Sequence, residues 1–275
     1  MSVSTNGTVG RGLRRVVGAV GLMPLARWSR DLLWAARFHQ ANVAYLKANP
    51  EGGLPIPGAR LRILVAGSPD VAWFLEGGRR GASSIRSILE DDGVPFESVG
   101  TLLDFGCGCG RVLRHLMNAG VEINGSDLNS NLIRWCDKNI AQAKFSVNGL
   151  TPPLPHPGGS LGLVYALSVF THLPESLQKP WLNELARVLR PGGHLILSTH
   201  GERYREALDE SERARFDRGD LVLRAEDRPG SNACGAYHPP SYLRSAAEPE
   251  FVVVQHRPEG ALGNPHQDLW LLRKA

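Results

Sequence analysis

Cysteine is scarce: 275 residues contain four, Cys107, Cys109, Cys136 and Cys234. Such a chain cannot be held by a disulfide framework, and its thiols are expected to stay reduced, which points to the cytoplasm. Cys107 and Cys109 are neighbours but for one residue, yet no second pair stands at zinc-ligand spacing, so no metal is expected. Long hydrophobic runs are missing too, and none approaches the roughly 20 apolar residues of a membrane span. Val16 to Ala26 is apolar but short and lacks a small-residue cleavage site, so no signal peptide is expected. Acid is rare near the start: over the first 50 residues seven basic side chains face Asp31 alone, a net +6 that leaves −2 for the rest of a chain whose total is +4. The remainder is close to neutral, and the basic arm is suited to an acidic surface such as lipid, nucleic acid or an acidic partner, or is simply a solvated appendage.

The stretch around which the chain is organised is Leu102-Leu103-Asp104-Phe105-Gly106-Cys107-Gly108-Cys109-Gly110-Arg111. Apolar residues run into an acid, glycines alternate with cysteines, and the helix-patterned run Val112, Leu113, Leu116, Met117 follows. Strand, tight turn and helix start are expected in that order, with glycine where a Cβ would hold a ligand off the main chain. A dinucleotide fingerprint beginning at Gly106 requires glycine at 111, and arginine stands there, which disfavours a nicotinamide-dependent oxidoreductase.

Further segments follow at regular distances. Val121 to Leu128 reads as a second strand ending in Asp127, about 20 residues past the glycines, where an acid can accept both ribose hydroxyls. Ala143 to Leu150 reads as a third strand and its loop, Leu161 to Leu173 as a buried strand with its exit loop, and Leu185 to Gly193 as a helix closing into a fifth strand. This ordered set over roughly 100–200 resembles the core of the class I S-adenosylmethionine-dependent methyltransferases. Gly67-Ser68-Pro69-Asp70 and His266-Gln267-Asp268-Leu269-Trp270 also resemble features of a bacterial subgroup acting on small molecules.

The resemblance implies an α/β fold: a Rossmann-like, seven-stranded, mostly parallel sheet with helices on both faces and the last strand antiparallel, plus an N-terminal helical appendage. Its implied cofactor is S-adenosylmethionine. Gly106, Cys107, Gly108 and Gly110 would let the backbone approach the methionine portion, with the following helix N-terminus offering amide hydrogens to its carboxylate. Asp104 would meet the methionine ammonium, Asp127 the ribose diol, and Leu128 would flank the adenine. Asn148 and Gly149 occupy the third-strand loop, where many relatives carry an acid; the Asn148 amide oxygen can accept the same hydrogen bond. Ser168 is expected near the sulfonium, and Arg111 on the helix surface or at a carboxylate.

Core strands are expected near 101–105, 121–125, 143–147, 161–166 and 194–199, with helices near 110–119, 130–139 and 175–190. Pro180 predicts a helix start or a kink. The division expected is a basic, partly disordered arm over 1–28, a helical cap over 29–95 and the methyltransferase core over 96–275. In the cap, a helix that starts at Ser29 and ends before Asn49-Pro50 carries Trp34, Phe38, Ala41 and Tyr45 on one face, which either packs on the core or lines a pocket entrance. Glu51 to Ala59 reads as a linker, Asp70 to Leu75 as a short helix broken by Gly77-Gly78, and Ser83 to Leu89 as another helix. Trp73, Phe74 and Arg79 are candidate pocket residues, although the aromatics also suit core packing. An irregular stretch, 201–240, is the expected acceptor-site insertion; beyond it lie a short helix and strands over Phe251 to Gln255 and Asp268 to Leu272.

Methyl transfer from a sulfonium needs alignment above all, and a base only when the acceptor arrives protonated. His172 and His200, each directly after a core strand, are the catalytic candidates ahead of His238 and His266. Ser168-Val169-Phe170-Thr171 stands where an Asp/Asn-Pro-Pro-Tyr/Phe turn would mark amino-group methylation of planar groups, and the core has no basic, aromatic-studded face. A small-molecule acceptor, methylated at oxygen or nitrogen, is therefore expected over nucleic acid. The alternatives are a cofactor-binding regulatory protein without turnover, and a macromolecule methyltransferase recruited by the basic arm.

Overall fold

The computed structural model of the chain describes residues 23–49, 53–117 and 120–275. Most of the basic arm, the start of the linker and residues 118–119 lie outside the described residues.

A seven-stranded sheet forms the centre. Its strands are β1 Thr101–Phe105, β2 Glu122–Asp127, β3 Lys144–Val147, β4 Leu161–Ala166, β5 Leu189–Thr199 and, after a separate two-stranded ribbon of β6 Val222–Arg224 and β7 Gly235–Tyr237, β8 Phe251–Arg257 and β9 Asp268–Lys274. The order is β3-β2-β1-β4-β5-β9-β8. β9 runs antiparallel to both neighbours, as expected of the last strand. The chain reverses its direction of winding between β1 and β4, which makes the crevice beyond their carboxyl ends the natural ligand position.

Successive residues of β1 face opposite ways, so each half of the sheet needs its own cover. Leu102 packs with Leu163 and Ile196 against Phe74, Ile85 and Leu89 of α3 Val71–Glu90 and Leu132 and Cys136 of α4 Ser130–Asn139. Leu103 packs on the other face with Val164 and Leu195 against Trp181 and Leu185 of α5 Glu175–Val188 and Leu243 of α7 Pro240–Ala247. Pro180 lies inside α5, which begins five residues earlier at Glu175 and continues past it to Val188.

The cap departs from expectation in several places. Its first helix, α1, starts at Met23 and not at Ser29, and runs to Ala48; Pro24, in the first turn where a missing N–H costs nothing, was the better start signal. Trp34, Phe38 and Tyr45 of α1 are half-buried as expected, while Ala41 is exposed. The helix is tied down by the Tyr45 hydroxyl donating to Glu76 and by Asn42, which donates to the Pro69 carbonyl and accepts from the Val71 amide. An unforeseen helix, α2 Ala59–Ala66, follows the linker. Buried Arg62 fixes it by donating to the carbonyls of Pro57 and Pro69.

α3 is continuous through Gly77-Gly78, where a break was expected. The glycines serve close approach: a Cβ on Gly78 would come 2.0 Å from the Arg111 carbonyl oxygen, and one on Gly77 2.7 Å from Arg111 Nη1. The turn after β1 thus lies directly on a helix face without side chains. The 201–240 stretch is also less irregular than expected, holding the ribbon and α6 Glu210–Asp217. α6 starts on a capping box in which Asp209 accepts from the Glu212 amide and Glu212 from the Asp209 amide.

Candidate active site

Beyond β1 and β4 lies a cavity of about 550 Å³. Its floor is the glycine turn, which the Gly106 and Cys107 amides tie to β2 by donating to the Ser126 carbonyl at 2.8 and 2.9 Å. Gly106 and Gly108 both have left-handed backbones, φ +84° and +57°, and a Cβ on Gly108 would meet Val65 of α2 at 2.9 Å. Hence the cap seals one side of the turn through a contact that only glycine permits. Gly110 has the same backbone sign but turns toward Ile140, away from the cavity.

Among the described residues of the expected 110–119 no α-helix forms, and the 3₁₀ stretch Leu113–His115 stands there instead. Arg111 lies buried and not on a helix surface, donating to the Gly263 carbonyl at 3.1 Å and to the side-chain oxygen of Asn264. It pins the loop before β9 onto the turn and fills the place where a dinucleotide site would need glycine.

Two acids flank the turn. Asp104 is buried, and burial pushes its carboxyl up to about 7, with the Asp127 charge adding to the shift and the Tyr165 hydroxyl and Arg111 guanidinium opposing it. Asp127, at the end of β2, accepts from the Gly108 amide at 2.9 Å and the Asn129 amide at 2.8 Å. Burial raises its carboxyl, and those two bonds hold the rise back. On the next loop Asn148 donates its amide to the Gly149 carbonyl, which leaves its side-chain oxygen buried with no partner. Leu128, Gly149 and Leu150 complete this wall.

The opposite end is built from distant segments. Ser168 lines the cavity with φ 59°, a conformation that costs a non-glycine residue energy. Its amide donates to Ser198 Oγ at 2.7 Å, and its hydroxyl accepts from Gln267 Nε2 at 3.0 Å. Ser198 in turn donates to Gln267 Oε1 at 2.7 Å. Gln267 therefore joins the exits of β4, β5 and the start of β9, a role no local signal in the sequence announces.

His172 lines the cavity, and its Nδ1 is 2.7 Å from the Cys234 carbonyl oxygen. A carbonyl only accepts, so Nδ1 carries the proton and Nε2 keeps its lone pair, without a protein partner. Burial lowers the His172 pKa, so the ring is neutral near pH 7. His200 stands behind it, off the cavity wall, with Nδ1 3.1 Å from the Ala236 carbonyl, its ring 6.4 Å from that of His172 and 4.1 Å from Tyr204. Burial first, and then the neighbouring His172, lower it to about 4. His238 is fully buried beside Gln178, and His266 pairs with Glu259 outside the cavity.

Three of the other expected residues separate. Trp73 lines the cavity, its indole N–H tied to the Ala66 carbonyl; Phe74 is core; Arg79 pairs with Glu76 on the helix surface. Tyr204, from the 201–240 stretch expected at the acceptor site, also lines the cavity and is held by its hydroxyl donating to the Pro265 carbonyl. Trp34, Phe38 and Tyr45 do not line the cavity, and α1 packs on α2 and α3. The 201–240 segment closes over the opening, Gly230 donating its amide to the His172 carbonyl and Asn232 its side-chain amide to the Leu64 carbonyl of α2.

Residues 103–197 match the family described as a methyltransferase domain. Phosphoethanolamine N-methyltransferase 2 of Caenorhabditis elegans is 26% identical over 117 residues, 40% of this chain and 26% of that protein. The biotin biosynthesis bifunctional protein BioHC of Cellvibrio japonicus is 31% identical over 103 residues, 36% of this chain and 20% of that protein. The matched region thus spans about a quarter or less of these curated relatives. An S-adenosylmethionine-dependent methyltransferase from Mesorhizobium loti has the same fold, with TM-score 0.52 at 18% identity over 67% of this chain and 95% of its own. The segment that bears the glycine turn and its two acids is thus similar to a methyltransferase domain, on a fold shared with an S-adenosylmethionine-dependent methyltransferase.

Proposed function

We propose that the protein transfers a methyl group from S-adenosylmethionine to an oxygen or nitrogen of a small-molecule acceptor. The observation that carries this reading is one cavity holding two unlike ends: an acid-flanked glycine turn with an orphaned amide oxygen, and a neutral histidine with a free lone pair. The residues fit the cofactor. Asn148 Oδ1, buried and unpartnered, is placed to accept from an exocyclic amino group, and Asp127 keeps oxygen lone pairs for a diol beyond the two amides it already accepts. Asp104 would take the ammonium, Leu128 would flank the base, and Gly106 and Gly108 leave the main chain open.

S-adenosylmethionine supplies an activated methyl on a sulfonium, a reaction that requires alignment before anything else. Ser168, held by Ser198 and Gln267, sets the wall at the point of transfer. His172 takes a proton at Nε2 when the acceptor is a hydroxyl or an ammonium, and the Cys234 carbonyl stabilises the resulting imidazolium by accepting from Nδ1. His200 supports the wall through Gln267 and Tyr204 and does not meet the acceptor. The four cysteines are free and buried, which suits a reducing cytoplasm. The basic N-terminal arm would serve localisation on an acidic surface.

Calorimetry with S-adenosylhomocysteine, followed by transfer of labelled methyl from the cofactor to a broad acceptor panel, tests the reading. Cofactor binding with transfer to a small molecule is expected. A folded protein that does not bind S-adenosylhomocysteine refutes it, and activity on macromolecules alone, lost on deletion of residues 1–28, replaces the small-molecule acceptor with a recruited one.

A further inference from the structure

We infer that Asn264, oriented by Arg111, receives the carboxylate at the amino-acid end of the cofactor; this rests on the methyltransferase reading above. Asn264 is 7% exposed and lines the cavity, and its side-chain nitrogen is buried with no partner. The assignment of that free atom as nitrogen is secure on chemical grounds. Arg111 faces the other atom of the amide, and a guanidinium can only donate, so the atom it meets must be the oxygen. What remains is an NH₂ group withdrawn from water on a residue that lines the cavity. It needs an acceptor.

The charges on the wall decide which acceptor. The charged side chains lining the cavity are Asp104, Asp127 and Arg111. A carboxylate is repelled by the two acids and drawn to the Arg111 corner, where Asn264 stands. Two of the five Arg111 N–H groups, one on each Nη, are committed to Gly263 and Asn264, which seats the guanidinium against the amide in this arrangement. The guanidinium acts through the amide, because a charged donor on Oδ1 polarises the group and strengthens its N–H donors. A zwitterionic amino-acid end then finds complementary partners on one turn, its ammonium at Asp104 and its carboxylate at Asn264.

The usual alternative for an anion in such folds is the start of the helix after the glycines. Here that helix is replaced by the three-residue 3₁₀ stretch Leu113–His115, too short to align many free amides. Arg111, directly after the turn, holds the amide that takes its place.

The test is binding, by calorimetry, of S-adenosylmethionine and of decarboxylated S-adenosylmethionine, which keeps the ammonium and lacks the carboxylate. The wild-type protein is expected to prefer the carboxylated ligand by on the order of tenfold or more, as for a hydrogen bond to a charged group. Asn264→Ala should abolish that preference while leaving affinity for the decarboxylated ligand unchanged. Asn264→Asp, which keeps an oxygen for Arg111 and turns the donor into an anion, should invert it. Equal weakening of both ligands by both variants would reduce Asn264 to a loop-packing role, and unchanged preference would place the carboxylate elsewhere; either overturns the inference. Failure of both ligands to bind the folded wild-type protein would instead overturn the methyltransferase reading.

Discussion

Asp104→Asn should make the ligand-free protein relatively more stable as pH rises, while weakening its hold on cofactor. The carboxyl ordinarily titrates near 3.8 and in the folded protein near 7, mainly because it is buried. A raised value means that the folded chain binds the proton more tightly than the unfolded one. The stabilising contribution of that proton is therefore fully present below about 3.8 and is lost as pH rises through about 7. At 1.36 kcal/mol per pH unit, ionising this side chain costs folding about 2 kcal/mol at pH 5 and about 4 kcal/mol at pH 8. Asparagine removes the titration and adds a constant offset from its changed hydrogen bonding. Only the difference between the two pH values matters, so the stability of the variant relative to wild type should improve by roughly 2 to 3 kcal/mol between pH 5 and pH 8. Urea unfolding of both proteins at pH 5, 6, 7 and 8 measures it. Parallel stability curves would refute the argument, because they would mean that Asp104 is already ionised without penalty at pH 5. In the wild type, S-adenosylhomocysteine affinity should fall as pH drops below 7, since a protonated Asp104 cannot pair with an ammonium, and in Asp104→Asn that dependence should vanish.

Other consequences are open to direct measurement. Asp127→Ala removes the acceptor of the Gly108 and Asn129 amides and should cost about 1 to 3 kcal/mol of stability, together with loss of S-adenosylhomocysteine binding by calorimetry. Gly78→Ala places a methyl 2.0 Å from the Arg111 carbonyl and should destabilise by about 3 kcal/mol in urea unfolding, whereas Gly58→Ala, with open space around it, should change stability by under about 1 kcal/mol. If the acceptor is protonated, His172→Ala should lower kcat by roughly 10² to 10⁴ with cofactor Kd unchanged. With the His172 value lowered by burial, the wild-type rate should hold through neutral pH and decline only below the ordinary histidine range of about 6.5, a limb that the variant lacks.

Local pattern and spacing carried much of this protein. The apolar run Leu102-Leu103 before an acid and three glycines could only be a buried strand entering a tight turn, and Asp127 at its distance could only close the second strand, because both signals are set by neighbours in sequence. The alternation of strands and helices fixed a parallel sheet for the same reason, and the place of Asn148 on the third-strand loop was legible too. Tertiary contacts decided the rest. Gly77-Gly78 looks like a helix break until the turn at Arg111 is laid on it, and Arg111 looks like a surface residue until the loop at 263–264, 152 residues away, is brought to its guanidinium. Gln267 and Asn264 gain their meaning from partners dozens of residues distant, and His172 and His200, alike in sequence position, are separated because one lines the cavity and the other packs behind it. Backbone propensity and periodicity act over a few residues and survive in the sequence, whereas burial, a shared cavity and the desolvation that shifts a carboxyl to about 7 exist only once the chain has closed on itself.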